Sequence, residues 1–324
     1  MTIKGGMTVQ LQGIHHVSAI TANAKRNYDF YTKVLGMRLV KKTVNQDAPS
    51  MYHLFYADEQ GRPGTDLTFF EIHRAGNTYP GSRSISTTSL RVKNDEALTY
   101  WQKRLEEHDI DLDPIKERLG RKTLAFRDPE GQRLILVSDE QNKGVDAGEP
   151  WDHSPVPKEY GITGLGPIHL TVTEAEKTEK VLLDILGFRK KGSYDQWTVY
   201  ETGKGGTGAE VHVEEQPDAQ PEKPGRGSVH HVAFRVDNEE ELKKWQEIIE
   251  ASGFPNSGLV DRYYFKSLYF REANHILFEL ATDGPGFATD EDMNHLGETL
   301  ALPPFLEHKR EEIEESLTPL DTSR

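Results

Sequence analysis

The chain has 324 residues, of which 35% are hydrophobic and 28% are charged, a composition typical of a soluble globular protein with room for two domains. Its formal net charge of −14 argues against nucleic acid or an anionic membrane surface as a partner, because both bind cationic faces. No apolar run approaches the length of a transmembrane helix. Because there is no cysteine, disulfides and thiolate metal sites are excluded, and a metal ligand must be His, Asp or Glu.

The N-terminus lacks the apolar core of a secretory signal. Met7 is a candidate alternative start, in which case residues 1–6 are a leader or a tag. Together with the missing cysteines, these features favour a cytoplasmic protein.

Four stretches of the chain share one plan, in which a strand is followed by an amphipathic helix and then by about three strands. The first stretch begins at Gly13, and its predicted helix covers residues 24–35, with Gly36 as the stop. Its last hairpin turns near residues 58–61 and leads into a strand at 67–71.

The second stretch begins near Ile85 and has a helix that carries Leu98, Trp101 and Leu105 on one face. Its last hairpin turns at residues 128–131.

The third and fourth stretches complete the pattern. The third begins at Gly166, its helix ends at Gly187, and its last strand lies near residues 210–213. The fourth begins at Ser228 and ends in a strand at residues 276–281.

These repeats predict an α+β fold made of two double βαβββ domains. Residues 8–140 form the predicted N-terminal domain, and residues 165–283 form the C-terminal domain. Residues 141–164, which contain prolines and several glycines, are the predicted linker. Residues 284–324 form a tail, in which we expect a charged and solvated helix at about 307–317.

A pair of histidines recurs at the head of the first strand in the first and fourth stretches, as His15-His16 and as His230-His231. Glu279 follows in the last strand of the fourth stretch. Two histidines and one carboxylate form the facial triad of non-haem iron(II) oxygenases, which holds a metal and leaves coordination positions open.

Strand alternation separates the two histidines of each pair, because successive side chains face opposite sides of a sheet. His230 shares a face with the apolar Val232 and Phe234, so His231 faces the open side. The analogy favours His16 in the first stretch, and the last-strand glutamate also lies opposite its apolar neighbours. Such a triad suits Fe(II), Mn(II) or Zn(II) and requires the first and fourth repeats to lie side by side.

The four-repeat plan resembles the vicinal-oxygen-chelate superfamily, which includes glyoxalases, bleomycin-resistance proteins and extradiol dioxygenases. The closer similarity is to its hydroquinone-type ring-cleaving dioxygenases, and it covers nearly the whole chain. The segments that carry it are Gly13-Ile14-His15-His16, Tyr52-His53-Leu54-Phe55-Tyr56-Ala57-Asp58, Pro63-Gly64-Thr65, His230-His231-Val232-Ala233-Phe234 and Phe278-Glu279-Leu280-Ala281-Thr282.

The resemblance implies a vicinal-oxygen-chelate fold whose first and fourth repeats share a metal site. It implies His16, His231 and Glu279 as the metal ligands. It further implies roles near the metal for Tyr269, Arg262, His15, His230 and Ser18.

Two of these implied roles have a stated chemistry. Tyr269 would donate a hydrogen bond to bound substrate or oxygen, and Arg262 would hold an anionic group or a neighbouring carboxylate. Strand alternation turns His15 and His230 away from the metal face, so a role for either requires a bulge or an edge position.

The implied function is an Fe(II)-dependent dioxygenase that inserts O2 into a hydroquinone-type aromatic diol, in aromatic catabolism or in quinone detoxification. Its cofactor is Fe(2+), its partners are the diol and O2, and a homo-oligomer is compatible with the sequence.

Competing assignments stay open. In catechol-type extradiol enzymes His169 would replace His16, and in glyoxalase-type isomerases or lyases Glu71 would add a second carboxylate. A binder that sequesters an aromatic toxin would need no metal. Among the other histidines, His53 is the best candidate to line the pocket.

Overall fold

The structure, a computed structural model, describes residues 9–324. Met7 and the first residue of the predicted domain 8–140 therefore lie outside the described residues. The strands assemble into two curled sheets of eight strands each.

Strands and helices follow the predicted order in all four repeats. The first two repeats contain β1 (Ile14–Thr21), α1 (Ala24–Asp29), β2 (Arg38–Asn45), β3 (Ala48–Ala57), β4 (Asp66–Glu71), β5 (Ser84–Val92), α2 (Asp95–Glu107), β6 (Lys116–Arg118), β7 (Arg121–Arg127) and β8 (Arg133–Ser138). The last two contain β9 (Ile162–Val172), α3 (Ala175–Lys180), β10 (Arg189–Tyr194), β11 (Trp197–Glu201), β12 (Glu210–Glu215), β13 (Val229–Val236), α4 (Glu239–Ala251), β14 (Asn256–Asp261), β15 (Phe265–Arg271) and β16 (Leu277–Pro285), and α5 (Arg310–Ser316) follows. Short 3-10 helices lie at Lys158–Tyr160, Thr207–Ala209, Phe287–Thr289, Met293–His295 and Glu307–Lys309.

The strand order shows which repeats are neighbours. One sheet has the order β14-β15-β16-β13-β1-β4-β3-β2 and joins the first and fourth repeats, as predicted. The other has the order β10-β11-β12-β9-β5-β8-β7-β6 and joins the second and third. Each sheet thus draws strands from both predicted domains, and β9 begins at Ile162, inside the predicted linker. The contiguous domain boundaries stay a prediction.

The two faces of each sheet differ in their surroundings. On β1, Val17 and Ala19 are buried in the hydrophobic core, whereas His16 and Ser18 lie on the opposite face and line a cavity. The helices cover the core face. In α2, the side chains of Ala97, Leu98, Trp101 and Leu105 are buried, and their spacing is that of one helix face.

The predicted helix at 24–35 is confirmed in position, but it changes type along its length. Its α-helical part ends at Asp29, and Phe30–Val34 is a π-helix in which Leu35 N donates to Phe30 O over 3.0 Å. The third repeat has the same break, at Val181–Ile185. Apolar spacing cannot reveal this change, because one wider turn shifts the periodicity by a single residue.

The C-terminal tail returns to the first repeat. A β-bridge joins Lys42 to Leu300, and Lys42 Nζ donates to Leu320 O over 2.9 Å. The expected solvated helix is wrong in one respect, because Ile313 and Leu317 are buried in the core. The charges at 307–317 occupy only the outer face. Within residues 9–324, no helix is long and apolar enough to cross a membrane.

Candidate metal centre

Three neighbouring strands carry the predicted ligands. On β1 and β13, which are antiparallel, His16 lies opposite Ala233 and His231 lies opposite Ser18. On β16, Glu279 lies on the other side of Ala233. The three side chains therefore converge over Ala233, whose small side chain leaves room between them.

The three ligand atoms lie at nearly equal distances. His16 Nε2 is 3.2 Å from His231 Nε2 and 3.0 Å from Glu279 Oε2, and His231 Nε2 is 2.9 Å from Glu279 Oε2. Their side chains are at most 5% exposed. Ligands about 2.1 Å from a metal and at right angles to each other lie about 3.0 Å apart, against about 3.4 Å in a tetrahedron. The spacing fits one face of an octahedron.

Two β-bulges correct the expectation for the first histidine of each pair. Pairing between β1 and β13 skips His15 on one strand and His230 on the other. A bulged residue breaks the alternation, so both residues of a pair can lie on one side of the sheet. Accordingly His15 Nδ1 is 2.8 Å from His16 Nδ1, and His230 Nδ1 is 2.8 Å from His231 Nδ1.

Gly64 completes the first bulge. Its N–H donates to His15 O over 2.7 Å, so the carbonyl of the bulged residue has a partner. Its φ of +90° is in the region that favours glycine, and a Cβ there would lie 3.1 Å from Ile14 O. This accounts for glycine in the Pro63-Gly64-Thr65 segment.

The hydrogen bonds of His15 determine the tautomer of His16. His15 Nε2 is 2.9 Å from Thr282 O, which can only accept, so Nε2 carries the proton. Burial, assisted by the charge of His16, lowers the pKa of His15 to about 3, so the ring is neutral and its Nδ1 holds a lone pair. His16 must then donate from Nδ1, which leaves Nε2, the nitrogen that faces Glu279 and His231, as the one that can bind a metal.

The buried charge of Glu279 favours a cation between the three ligands. Neither carboxylate oxygen of Glu279 has a hydrogen-bond partner among residues 9–324. Burial by itself would raise the pKa of Glu279, but His16 and His231 outweigh it and hold the pKa well below its usual range. Burial also lowers the pKa of His231, although Glu279 opposes the shift. A buried carboxylate between two imidazole nitrogens is stabilised by a positive charge, either protons on the imidazoles or a metal ion in their place.

Tyr269 and Arg262 form a hydrogen-bonded unit beside the ligands. Tyr269 pairs with Glu279 across β15 and β16, and its ring lies 5.9 Å from that of His231. Arg262 Nε donates to Tyr269 Oη over 3.1 Å, and Arg262 Nη1 donates to Asp47 Oδ2 over 3.0 Å. Burial raises the pKa of Tyr269, so the phenol keeps its proton, and that proton is free to face the cavity.

Ser18 belongs to a second series of hydrogen-bonded side chains. Its Oγ is 2.7 Å from Thr68 Oγ1, which is 3.0 Å from His53 Nε2. The His53 ring lies between Phe55 and Phe70, with ring centroids 4.0 and 4.1 Å away. His53 thus lines the cavity, as expected. The aromatic partners of His53 were not predicted, although Phe55 shares its face of β3 and Phe70 lies opposite it on β4.

His16 and His231 line a cavity of about 370 Å³, and Glu279 is buried next to them. Most of its lining is apolar, and His230 stands exposed at its edge. The apolar lining includes Ile20, Met51, Phe55, Phe70, Phe265 and Leu277. A cavity of this kind holds a small ring and limits the access of water.

The two competing ligands lie elsewhere. Glu71 Oε1 accepts from Ala24 N over 2.7 Å and so caps α1. His169 is on β9 in the other sheet, with its Nε2 3.2 Å from Tyr194 Oη. Among the described residues, His16, His231 and Glu279 are the one group of three whose ligand atoms lie close enough to hold a metal.

Comparison with known families agrees with this fold. The profile of the glyoxalase/bleomycin resistance protein/dioxygenase superfamily matches residues 13–136 and 164–280. The chain belongs to this superfamily. The match covers all four repeats and includes each candidate ligand.

Similar proteins of this superfamily carry informative names. The chain is 55% identical to a Bacillus subtilis protein named "Putative ring-cleaving dioxygenase MhqA", over 96% of this chain and 100% of the relative. It is 31% identical to the chlorohydroquinone/hydroquinone 1,2-dioxygenase of Sphingobium indicum, over 94% and 95% of the two chains. A solved structure from Bacillus subtilis superimposes with a TM-score of 0.90 at 36% identity, over 98% and 100% of the two chains.

Proposed function

We propose that the protein is an Fe(II)-dependent ring-cleaving dioxygenase that acts on a hydroquinone-type aromatic diol. The observation that carries this proposal is a buried facial triad with no fourth protein ligand among the described residues, at the base of an apolar cavity. The names of the relatives, which include a hydroquinone 1,2-dioxygenase, support the same class of reaction.

The residues present fit a divalent transition metal, because two neutral imidazoles and one carboxylate are a donor set that Fe(II) accepts. We propose His16, His231 and Glu279 as its ligands. When bound, iron(II) acidifies a hydroxyl group that it coordinates and transfers electrons between an electron-rich ring and dioxygen.

The protein prepares the ligands in advance. In the proposed role, His15 holds His16 in the tautomer with a free Nε2, because its own proton is committed to Thr282 O. His230 occupies the matching position beside His231, and its second ring nitrogen has no hydrogen-bond partner within residues 9–324. It can therefore face a ligand at the cavity edge.

We propose Tyr269 as the proton donor of the site. Arg262 Nε occupies a lone pair of Tyr269 Oη, so the phenolic hydrogen is directed elsewhere. Because its pKa is raised, the phenol remains a neutral donor at ordinary pH. Ser18, through Thr68, would hold polar groups in place on the other side of the ligands.

The test is oxygen consumption by anaerobically Fe(II)-loaded protein supplied with methylhydroquinone. We expect equal amounts of O2 consumed and ring-opened product formed, and no uptake by the His231→Ala variant. Catechol in the same assay should give slower uptake.

Other outcomes would change the assignment. Isomerisation of a substrate without O2 consumption would indicate a glyoxalase-type isomerase. Recovery of intact diol from a fully metal-loaded protein would indicate a binding protein. Faster turnover of catechol would indicate the catechol-type reaction.

The biological role of the reaction and the location of the protein in the cell are also proposals. We propose that the diol and O2 are small-molecule partners in aromatic catabolism or quinone detoxification in the cytoplasm. The expected homo-oligomer stays a prediction that size-exclusion chromatography with light scattering can test.

A further inference from the structure

A second cavity lies against the sheet formed by the second and third repeats. Its volume of about 360 Å³ is close to that of the metal cavity. Polar and aromatic side chains dominate its lining, which includes Arg118, Arg127, Arg133, His169, Tyr194 and Trp197. The proposed ring cleavage uses none of these residues.

Within residues 9–324, the His, Asp and Glu side chains at this cavity do not form a group of three close enough to hold a metal. His169 Nε2 is 3.2 Å from Tyr194 Oη, which is 2.9 Å from His212 Nδ1. His212 Nε2 in turn is 3.0 Å from Glu210 Oε2. The Glu210 carboxylate is thus engaged with protein groups. Two carboxylates, Asp111 and Asp113, also line the cavity, against three arginines. The excess of cations favours an anionic ligand.

The arginines around the cavity differ in their partners. Arg121, across the β6–β7 hairpin from Arg118, makes two hydrogen bonds to the carboxylate of Glu210. Arg127 lies 3.8 Å from Asp111, and Arg133 lies 3.2 Å from Glu222.

Arg118 alone among these arginines has no carboxylate partner within residues 9–324. Its side chain makes no hydrogen bond there, and its Nη1 is buried without a partner. A partly buried cation without a counter-charge lowers stability, and an anionic ligand would remove that deficit. A guanidinium fork matches the two oxygens of a carboxylate.

The rest of the lining favours an organic anion with a flat apolar body. Trp197 stands perpendicular to His169, with ring centroids 4.9 Å apart, and contributes an aromatic face to the cavity. Leu112, Phe126 and Leu134 add apolar surface. Aromatic rings pack well against such faces. We propose that this second cavity binds a small aromatic carboxylate, with its carboxylate on Arg118 and its ring beside Trp197.

The test is calorimetric titration of the full chain with benzoate, with benzyl alcohol as the neutral analogue and inorganic phosphate as the ring-free anion. We expect saturable binding of benzoate at one site per chain and much weaker binding of both analogues. Arg118→Met should weaken benzoate binding about tenfold or more, since a charge-assisted hydrogen bond is lost. Arg127→Met, a matched variant at the same cavity whose arginine has a partner, should change it by less than about twofold.

Arg262→Met separates the two cavities. If Arg262→Met abolishes benzoate binding and Arg118→Met does not, benzoate occupies the metal cavity and the proposal is wrong. Equal binding of benzyl alcohol, or tighter binding of phosphate, would also overturn it. Circular dichroism and thermal melting of each variant identify a loss of folding. As an independent readout, benzoate should alter the tryptophan fluorescence of the native chain and not that of Trp197→Phe.

Discussion

At the scale of single residues, the site depends on which nitrogen of each histidine carries a proton. The hydrogen bonds that link Thr282 O, His15 and His16 can run in only one direction, because a carbonyl cannot donate. They commit the Nδ1 proton of His16 to His15 and leave Nε2 as the nitrogen that can bind a metal. Such preparation lowers the free energy needed to order the ligands when the metal arrives.

These hydrogen bonds predict the effect of replacing His15. His15→Phe fills the space but removes the acceptor of the His16 Nδ1 proton, so we expect Fe(II) affinity to fall about 10- to 100-fold. Competition with a metal-chelating dye measures the affinity. His153→Phe, at an exposed position, is the control and should leave it unchanged. Equal affinities of His15→Phe and the native chain would refute the tautomer argument.

Tyr269 offers a test of the proposed proton donor. Tyr269→Phe removes the hydroxyl but keeps the ring, so we expect bound iron to be unchanged and kcat to fall about 100-fold. Steady-state oxygen consumption gives kcat and KM separately. Tyr263→Phe, which alters the neighbouring phenol outside the cavity lining, should keep native kcat. A native kcat in Tyr269→Phe would show that another group supplies the proton.

At the scale of elements, the bulges explain what the sequence could and could not predict. Alternation along β1, β13 and β16 correctly put His16, His231 and Glu279 on the cavity face. It failed for His15 and His230, because alternation assumes unbroken pairing and each bulge inserts one residue. The sequence shows no insertion, since a bulge is visible only against the partner strand.

The helices show the same limit. Hydrophobic spacing predicted α2 and α4 and their buried faces, but it could not reveal the π-helical turns that end the first and third helices. Single-residue insertions are thus the common source of the differences. Where they occur, sequence gives the location of an element and structure gives its geometry.

Capping predicts a stability effect at α2. Asn94 Oδ1 accepts from Ala97 N over 3.0 Å, which satisfies one of the free N–H groups at the start of the helix. Asn94→Ala should lower the free energy of unfolding by about 1 kcal/mol, and Asn94→Asp should retain it. Urea unfolding curves measure both variants. An unchanged free energy of unfolding in Asn94→Ala would show that the cap contributes nothing.

At the scale of the whole molecule, contacts between distant repeats assemble the site. The first and fourth repeats are far apart in the chain, so their pairing could be predicted only from the requirement that the triad converge. The tail that crosses the first repeat carried no such signal. Contacts also join the first and second repeats, for example where Tyr31 in the first π-helix donates to Asp128 Oδ2 in the β7–β8 turn over 3.0 Å.

The burial of Asp128 predicts a pH dependence of stability. Burial raises the pKa of Asp128 from 3.8 to about 6, so between these values the folded chain holds a proton that the unfolded chain releases. The Asp128 contribution to stability therefore falls as pH rises through this window, by up to about 3 kcal/mol. Asp128→Asn removes this dependence. The unfolding free energy of the native protein should fall toward or below that of Asp128→Asn as pH rises from about 4 to about 7. Parallel curves would contradict the burial effect.

The most direct test of the central claim compares two histidines that the sequence alone leaves in competition. Native protein, His16→Ala and His169→Ala are loaded anaerobically with Fe(II), and bound iron and O2 consumption with methylhydroquinone are measured on each. If His16 is a ligand, the native protein and His169→Ala should each bind one iron per chain and be fully active. His16→Ala should lose both the iron and the activity. Retention of iron and activity in His16→Ala, with their loss in His169→Ala, would contradict a metal centre built by the first and fourth repeats.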